Sequence, residues 1–339
     1  MSKTKVTSFE VAARAGVSQS AVSRVFTPGA SASKKTVEKV RKAADELGYR
    51  PNVLARAMVS GKSRIIGLVV SYLDNQFYPV ALEALSNALQ AQGYHILIFT
   101  APNSVDGVEA VVQDLMDYQV DGIIAASVSM TSGLADRARD AGIPIVLFNR
   151  GQEGDGFSCV TSTNHAGGRK VAEFLLAGAH KRIAHIAGWQ GSSTGRDRQA
   201  GFVETLQQAG MEPFALIDGM YKRPVAMECA RQLIQGDTIP DAIFVGNDHM
   251  AFAVMDALRE AGITVGQDIS IVGYDDVPLA GWASYDLTTV RQPVNRMVDS
   301  TVELLMSQMA NDAPEPGWIE IDGELILRSS ARIPKGWSS

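Results

Sequence analysis

Between residues 65 and 276, short β-rich runs alternate with helical ones, twice over. The first pass reads IIGLVV (65–70), HILIFT (95–100), DGIIAAS (121–127) and IPIVLFN (143–149), with helical stretches around 77–92, 105–118 and 132–141. The second reads RIAHIAG (182–188), AIFVG (242–246) and ISIVGYDD (269–276), with helical stretches near 197–209, 224–235 and 248–261. Strands alternating with helices build parallel sheets covered on both faces. Two such passes predict an α/β body of two Rossmann-like subdomains with a cleft between them.

In open parallel sheets a ligand sits beyond the carboxyl ends of the strands. Those ends fall at 71–75, Ser127, 149–150, 188–191, 247–248 and 274–276, and they are rich in Asn, Asp, Ser and Tyr. Such groups donate and accept hydrogen bonds, as binding a hydroxylated molecule requires. Tyr72, Phe77, Tyr221 and Trp282 offer aromatic faces for a sugar or a base, and Arg198 offers a planar fork for vicinal hydroxyls or a carboxylate. Structural roles compete with these. Asn247 can cap the helix after it while touching a ligand, and Asp275 and Asp276 can satisfy loop amides. Arg150 reads as a surface or subdomain-interface residue. The Gly-rich 188–195 stretch fits neither GxGxxG nor GxxxxGK[ST], so it is not a phosphate loop.

The first 64 residues are of another kind. They hold 13 Lys and Arg against four acids, net +9, while the remainder holds 18 against 33, net −15. A basic head on an acidic body fits a nucleic-acid module joined to something else. Thr7 and Glu10 have capping-box spacing, opening a helix that ends near Ala15 and is expected to bury Phe9, Val11 and Ala12. Gly16 suits a tight turn, and Ser18 is an N-cap for a second helix with Ala21, Val22 and Val25 inward and Gln19, Ser20, Ser23 and Arg24 outward. A third helix from about Ser33 to Leu47, with Val37, Val40, Ala44 and Leu47 at helical spacing, stops at Gly48. This is a helix-turn-helix closed by a third helix, whose second helix enters the major groove. There Gln19 can pair with adenine, and Arg24 with guanine or a phosphate.

With these residues in view, the chain resembles the LacI/GalR family of transcription regulators. The resemblance rests on VTSFEVAARAGVSQSAVSRVF and its three-helix order, on Val-Ser-x-x-x-Val-Ser-Arg (17–24) and on Gly-Tyr-x-Pro-Asn (48–52). It continues through RDRQAGF (196–202), 243–248, 269–276 and LTTVRQP (287–293), and so spans nearly the whole chain. It implies an all-α head at 1–50, a hinge helix at 51–61 and a body of periplasmic-binding-protein type at 62–339. The chain would cross between subdomains three times, dividing the body into 62–161 plus 292–320 and 162–291 plus 321–339. Besides Gln19, Ser20, Ser23 and Arg24, the implied DNA contacts include Thr7, Ser18, Asn52, Ala55, Arg56 and Met58. Met58 stands where relatives carry a Leu wedge between base pairs. The implied effector pocket comprises Tyr72, Asn75, Phe77, Ser127, Asn149, Arg198, Tyr221, Asn247 and Asp275, with Asn149 replacing an Asp common in sugar-binding relatives.

The function expected is a repressor: a homodimer on a pseudo-palindromic operator, controlled by a small effector bound in the cleft. A pentose, hexose, sugar acid, polyol or nucleoside all fit the side chains, with carbohydrate favoured; release and tightening of operator binding both remain open. No heptad-rich helix follows the body, which favours a dimer over a tetramer. Cys159 and Cys229 lie far apart, and the five histidines show no ligand spacing, so neither a disulfide framework nor a metal or other cofactor is expected. No catalytic Ser-His-Asp or Cys-His set is visible, so the chain does not read as an enzyme. The opening residues lack a signal-peptide segment, and no run reaches the ~18 apolar residues of a membrane span, placing the protein in the cytoplasm at the nucleoid.

Overall fold

The computed structural model describes residues 6–27, 30–50, 62–71, 73–101, 105–128, 130–151, 156–310 and 316–337. The expected hinge contacts Asn52, Ala55, Arg56 and Met58, and the expected pocket residue Tyr72, lie outside the described residues. The chain divides into two compact units, Met1–Ser63 and Arg64–Ser339.

In the first unit, α1 (Ser8–Ala15) opens on the capping box: the Thr7 hydroxyl accepts from the Glu10 amide, and the Glu10 carboxylate accepts from the Thr7 amide at 2.7 Å. Gly16 closes it in the left-handed region at φ 65°, where a Cβ would be strained. Ser18 caps α2 (Gln19–Phe26) and Ser33 caps α3 (Lys34–Leu47), each accepting a hydrogen bond from a backbone amide of the helix it starts. Val11, Ala12, Val22, Val40, Ala43 and Ala44 form the buried centre. Phe9 is not part of it and stands 67% exposed. At 100° per residue it points roughly 200° away from Val11, so one helix cannot bury both on the same stripe.

The second unit is built on two six-stranded sheets. The first has the order β11-β5-β4-β3-β1-β2 and the second β12-β10-β9-β8-β6-β7. The first pass supplies β1 (Ile65–Val70), β2 (His95–Thr100), β3 (Gly122–Ala126), β4 (Ile145–Phe148) and β5 (Ser158–Ser162), with α4 (Phe77–Ala91), α5 (Val105–Asp117) and α6 (Ser132–Asp140) between them. The second pass runs from α7 (Asn164–Ala177) through β6 (Ile183–Ala187), α8 (Ser193–Gln208), β7 (Ala215–Asp218), α9 (Arg223–Leu233), β8 (Ala242–Val245), α10 (Asp248–Glu260) and β9 (Ser270–Asp275) to β10 (Thr288–Arg291). The chain then returns to the first sheet through α11 (Val294–Ala310) and β11 (Trp318–Ile321), and ends on the second with β12 (Leu325–Ile326). Every pairing is parallel except β12 with β10.

Three connections therefore pass between the sheets, after β5, β10 and β11, and they are bound to one another. The Thr163 amide donates to the Ile321 carbonyl at 3.2 Å, and the Thr163 hydroxyl to Asp322 at 2.9 Å. The Ser162 hydroxyl donates to the Gln292 side-chain oxygen at 3.1 Å. Close packing of α7 on α8 depends on glycine: a methyl at Gly168 would strike the Arg198 carbonyl, and one at Gly201 the His165 carbonyl.

Candidate functional site

Between the two sheets lies a narrow polar cleft. The strand ends of both sheets contribute to it. Asp74, Asn75, Tyr78, Ser127, Asn149 and Arg150 come from the first half, and Thr194, Arg198, Tyr221, Asn247 and Asp275 from the second. Seven of the nine expected pocket residues are thus brought together: Asn75, Ser127, Asn149, Arg198, Tyr221, Asn247 and Asp275.

Phe77 is not among them. It is 1% exposed, with its ring 6.2 Å from that of Phe148 and 5.3 Å from that of Tyr78. Asn75 accepts a hydrogen bond from the Phe77 amide at 3.1 Å, and this turn directs Phe77 onto the sheet as α4 begins. One residue later the helix has rotated by about 100°, and it is Tyr78 that reaches the cleft. Its hydroxyl accepts from the Asn149 amide at 3.4 Å. Trp282 stands 59% exposed away from the lining. Asp74, Tyr78 and Thr194 were not singled out by the sequence, and Arg150, read as surface or interface, lines the cleft at 3% exposure. The strand-end rule covered Arg150, but a long basic side chain there reads equally well as a surface residue.

The cleft is lined by strained backbone. Ser127, Asn149, Tyr221 and Asp275 have positive φ of 61°, 58°, 55° and 127°, and Asp276 follows at 55°. Such conformations cost roughly 1–3 kcal/mol each in non-glycine residues and persist where surrounding structure enforces them. Of the ten non-glycine residues with positive φ among the described residues, four line the cleft, where the strands and their following loops turn these side chains inward.

Arg198 is held on all sides. Its Nε donates to Asn164 at 2.8 Å and its Nη1 to the Gly246 carbonyl at 2.7 Å, while the Asp275 carboxylate lies 3.7 Å away. Asp275 also accepts from the Gln292 amide at 2.6 Å. Burial pushes the Asp275 carboxyl up to about 6, against the opposing pull of Arg198. Behind it, Asp248 accepts from the Thr289 hydroxyl at 2.6 Å and from the Val277 amide at 3.0 Å. Burial and the neighbouring Asp275 hold Asp248 well above the usual carboxylate range. Asn247 uses its side-chain oxygen to cap α10, accepting from the Met250 amide at 3.0 Å, which leaves its amide nitrogen as a donor. Thr194 and Tyr221 share a hydrogen bond at 3.2 Å.

In the head, α2 presents Gln19, Ser20, Ser23 and Arg24 as exposed residues near its start and along its outer face. Gln19 donates to the Ser8 hydroxyl at 3.1 Å, and the Ser18 and Ser20 hydroxyls are 2.9 Å apart. Thr7 and Ser18 are both capping residues at the mouths of their helices. No group of His, Cys, Asp and Glu among the described residues is arranged to hold a metal, and none of their helices is long and apolar enough to cross a membrane.

A helix-turn-helix unit on the same chain as a two-lobed polar cleft defines a ligand-responsive, DNA-binding regulator of transcription. Residues 9–52 match the lacI family of bacterial regulatory proteins, and residues 172–331 match the periplasmic binding protein-like domain. The HTH-type transcriptional repressor PurR of Vibrio atlanticus is 30% identical over 326 residues, covering 95% of this chain and 98% of that protein. PurR of Pasteurella multocida is 28% identical over the same shares. The lac repressor dimer bound to operator and the anti-inducer ONPF superposes with a TM-score of 0.87 at 28% identity, covering 97% of this chain and 99% of that one. A complex of the transcriptional regulator CelR with cellobiose gives 0.72 at 31% identity, covering 96% and 100%. The chain belongs to the LacI/GalR family and is a DNA-binding transcriptional repressor under small-molecule control.

Proposed function

We propose that the controlling molecule is a small polyhydroxylated compound of the carbohydrate class, held in the cleft by Asn75, Ser127, Asn149, Arg198, Tyr221, Asn247 and Asp275. The observation that carries this is the lining itself. It mixes donors and acceptors from both halves and includes a buried Asn149 Oδ1 with no hydrogen-bond partner. Leaving a buried acceptor unpaired costs roughly 1–3 kcal/mol, and a ligand hydroxyl relieves that cost. The cellobiose complex of CelR supports the same class.

Control of DNA binding then follows from linkage: an effector shifts the repressor only by its different affinity for two arrangements of the lobes. Gln292 is well placed to transmit that difference, since it bonds Asp275 in the cleft and Ser162 on another connection between the sheets. We further propose a homodimer acting in the cytoplasm, the body divided at the three crossovers. Each α2 reads half of a pseudo-palindromic operator with Gln19, Ser20 and Arg24, Thr7, Ser18 and Ser23 support the backbone contacts, and Met58 serves as wedge in a hinge that includes Asn52, Ala55 and Arg56. The lac repressor dimer on its operator supports this arrangement. A thermal-shift screen of sugars, polyols and nucleosides, followed by mobility shift on operator DNA, tests the effector assignment. A sugar that raises Tm and changes operator occupancy is the expected result, and response to nucleosides alone would overturn it.

A further inference from the structure

The two arginines of the cleft differ in one respect. Arg198 has protein partners at its hydrogen-bonding nitrogens Nε and Nη1, a carboxylate nearby and an aromatic ring beneath it. Arg150 is as deeply buried, yet only its Nη2 has a partner, the Ser127 hydroxyl at 3.3 Å. Its Nε and Nη1 are buried with no hydrogen-bond partner, and no acid of the described residues lies within ion-pair distance of it. The guanidinium is held in place by the Trp189 ring from the opposite half, at 5.6 Å. An unpaired cation in a low-dielectric site carries a desolvation cost of several kcal/mol that a hydroxyl offsets only weakly, because a hydroxyl brings no charge.

The charges lining the cleft decide what would offset it. Arg198 is matched by Asp275, and Asp74 at the mouth is largely solvated and faces His249 at 3.6 Å. The two arginines and two aspartates of the lining sum to zero, but the Asp74 side chain is 73% exposed and screened by water, so Arg150 alone is a buried charge without a counterion. We propose that the effector carries a carboxylate and that Arg150 is its counterion: the molecule is a sugar acid or a similar small hydroxy-carboxylate, not a neutral sugar. This rests on the cleft being the effector site and narrows the carbohydrate reading of it. A single open arginine suits a singly charged carboxylate better than a phosphate dianion, and arginine's planar donors match carboxylate geometry.

Isothermal titration of the full-length protein with D-gluconate and D-galacturonate, with D-glucose and D-galactose, with the two 6-phosphates, and with L-malate and L-lactate tests the proposal. The expected result is binding by a sugar acid, with its neutral parent at least ~10-fold weaker, the value of one charge-assisted contact. Arg150→Gln should weaken the acid by ~10–100-fold, and Arg150→Lys by less, while both retain wild-type helicity. Neutral sugars binding as tightly as acids, with Arg150→Gln unchanged, would overturn the carboxylate and leave the carbohydrate cleft standing. Preference for the 6-phosphates would overturn it in favour of a phosphate. Binding of malate or lactate, but of no sugar, would uphold the carboxylate and remove the carbohydrate. A protein that responds to none of these compounds overturns both.

Discussion

The Arg198 guanidinium lies 3.6 Å from the centroid of the Tyr274 ring, and that ring fits only because Gly167 has no side chain to meet it. A lysine cannot reproduce a planar cation on a ring together with hydrogen bonds to Asn164 and Gly246. Arg198→Lys should lower stability by about 2–3 kcal/mol and abolish the effector response, leaving operator affinity at its effector-free level whether or not effector is added. Denaturant melts and mobility shifts with and without effector check this. An unchanged effector response in the variant would show that Arg198 is not needed at the site.

Reading of DNA should be separable from folding of the head. Replacing Gln19, Ser20 and Arg24 by alanine removes exposed groups only, so the melt should hardly move while operator preference over random DNA collapses, each base contact contributing about 1–3 kcal/mol. Thr7→Ala should do the opposite. It removes the capping box, about 1 kcal/mol of head stability and a backbone contact, so affinity for operator and for random DNA should fall together while the preference between them is kept.

Gly→Ala usually stabilises a helix by about 1 kcal/mol. At Gly168 and Gly201 the sign should reverse, because the new methyl meets a backbone carbonyl of the partner helix and α7 must move off α8. A loss of about 3 kcal/mol or more is expected at either position. Gly133 in α6 has open space around its Cβ direction, and Gly133→Ala should be neutral or slightly stabilising. Urea midpoints of the three variants provide the comparison.

Two buried groups should give the stability opposite slopes against pH. Burial pushes His185, stacked on Phe244 at 4.5 Å, down to about 4, from the ordinary 6.5. Its contribution is complete above pH 6.5 and is lost as pH falls through 6.5 to 4. Asp275, raised from 3.8 to about 6, contributes fully below pH 4 and loses that contribution as pH rises to 6. Between pH 4 and 6 the two offset each other. Asp275→Asn should therefore make the protein lose stability more steeply on acidification, and His185→Phe should flatten or reverse the slope. Urea melts across that range read the slopes, which are independent of any uniform cost of each substitution.

Sequence periodicity located α1 to α3 and the β1 to β4 alternation because each is a run with one apolar stripe or a continuous apolar strand. It passed over β5, β7, β10, β11 and β12. SCVTS and TTVR are polar strands whose hydroxyls are buried by bonds to distant residues: Ser162 with Gln292, Thr289 with Asp248, Thr288 with Arg328. Nothing local signals such partners. α7 was hidden by Gly167 and Gly168, which lower helix propensity but are needed for its contact with Tyr274 and α8. The strand-end rule found the polar residues that the sheets bring together. It could not separate Phe77 from Tyr78, which differ by one helical step, or show that Arg150 is buried.

The order of the first sheet has a consequence for the nascent chain. Its outer strand β11 leaves the ribosome only after all of β6 to β10, so that sheet cannot be complete until residue 321 has been translated. Until then β5 presents an open edge, and the second sheet likewise waits for β12 on β10. Release of a stalled or truncated product before that point leaves both sheets with exposed, adhesive margins, and premature termination near the end of this message should yield aggregate rather than a shorter repressor.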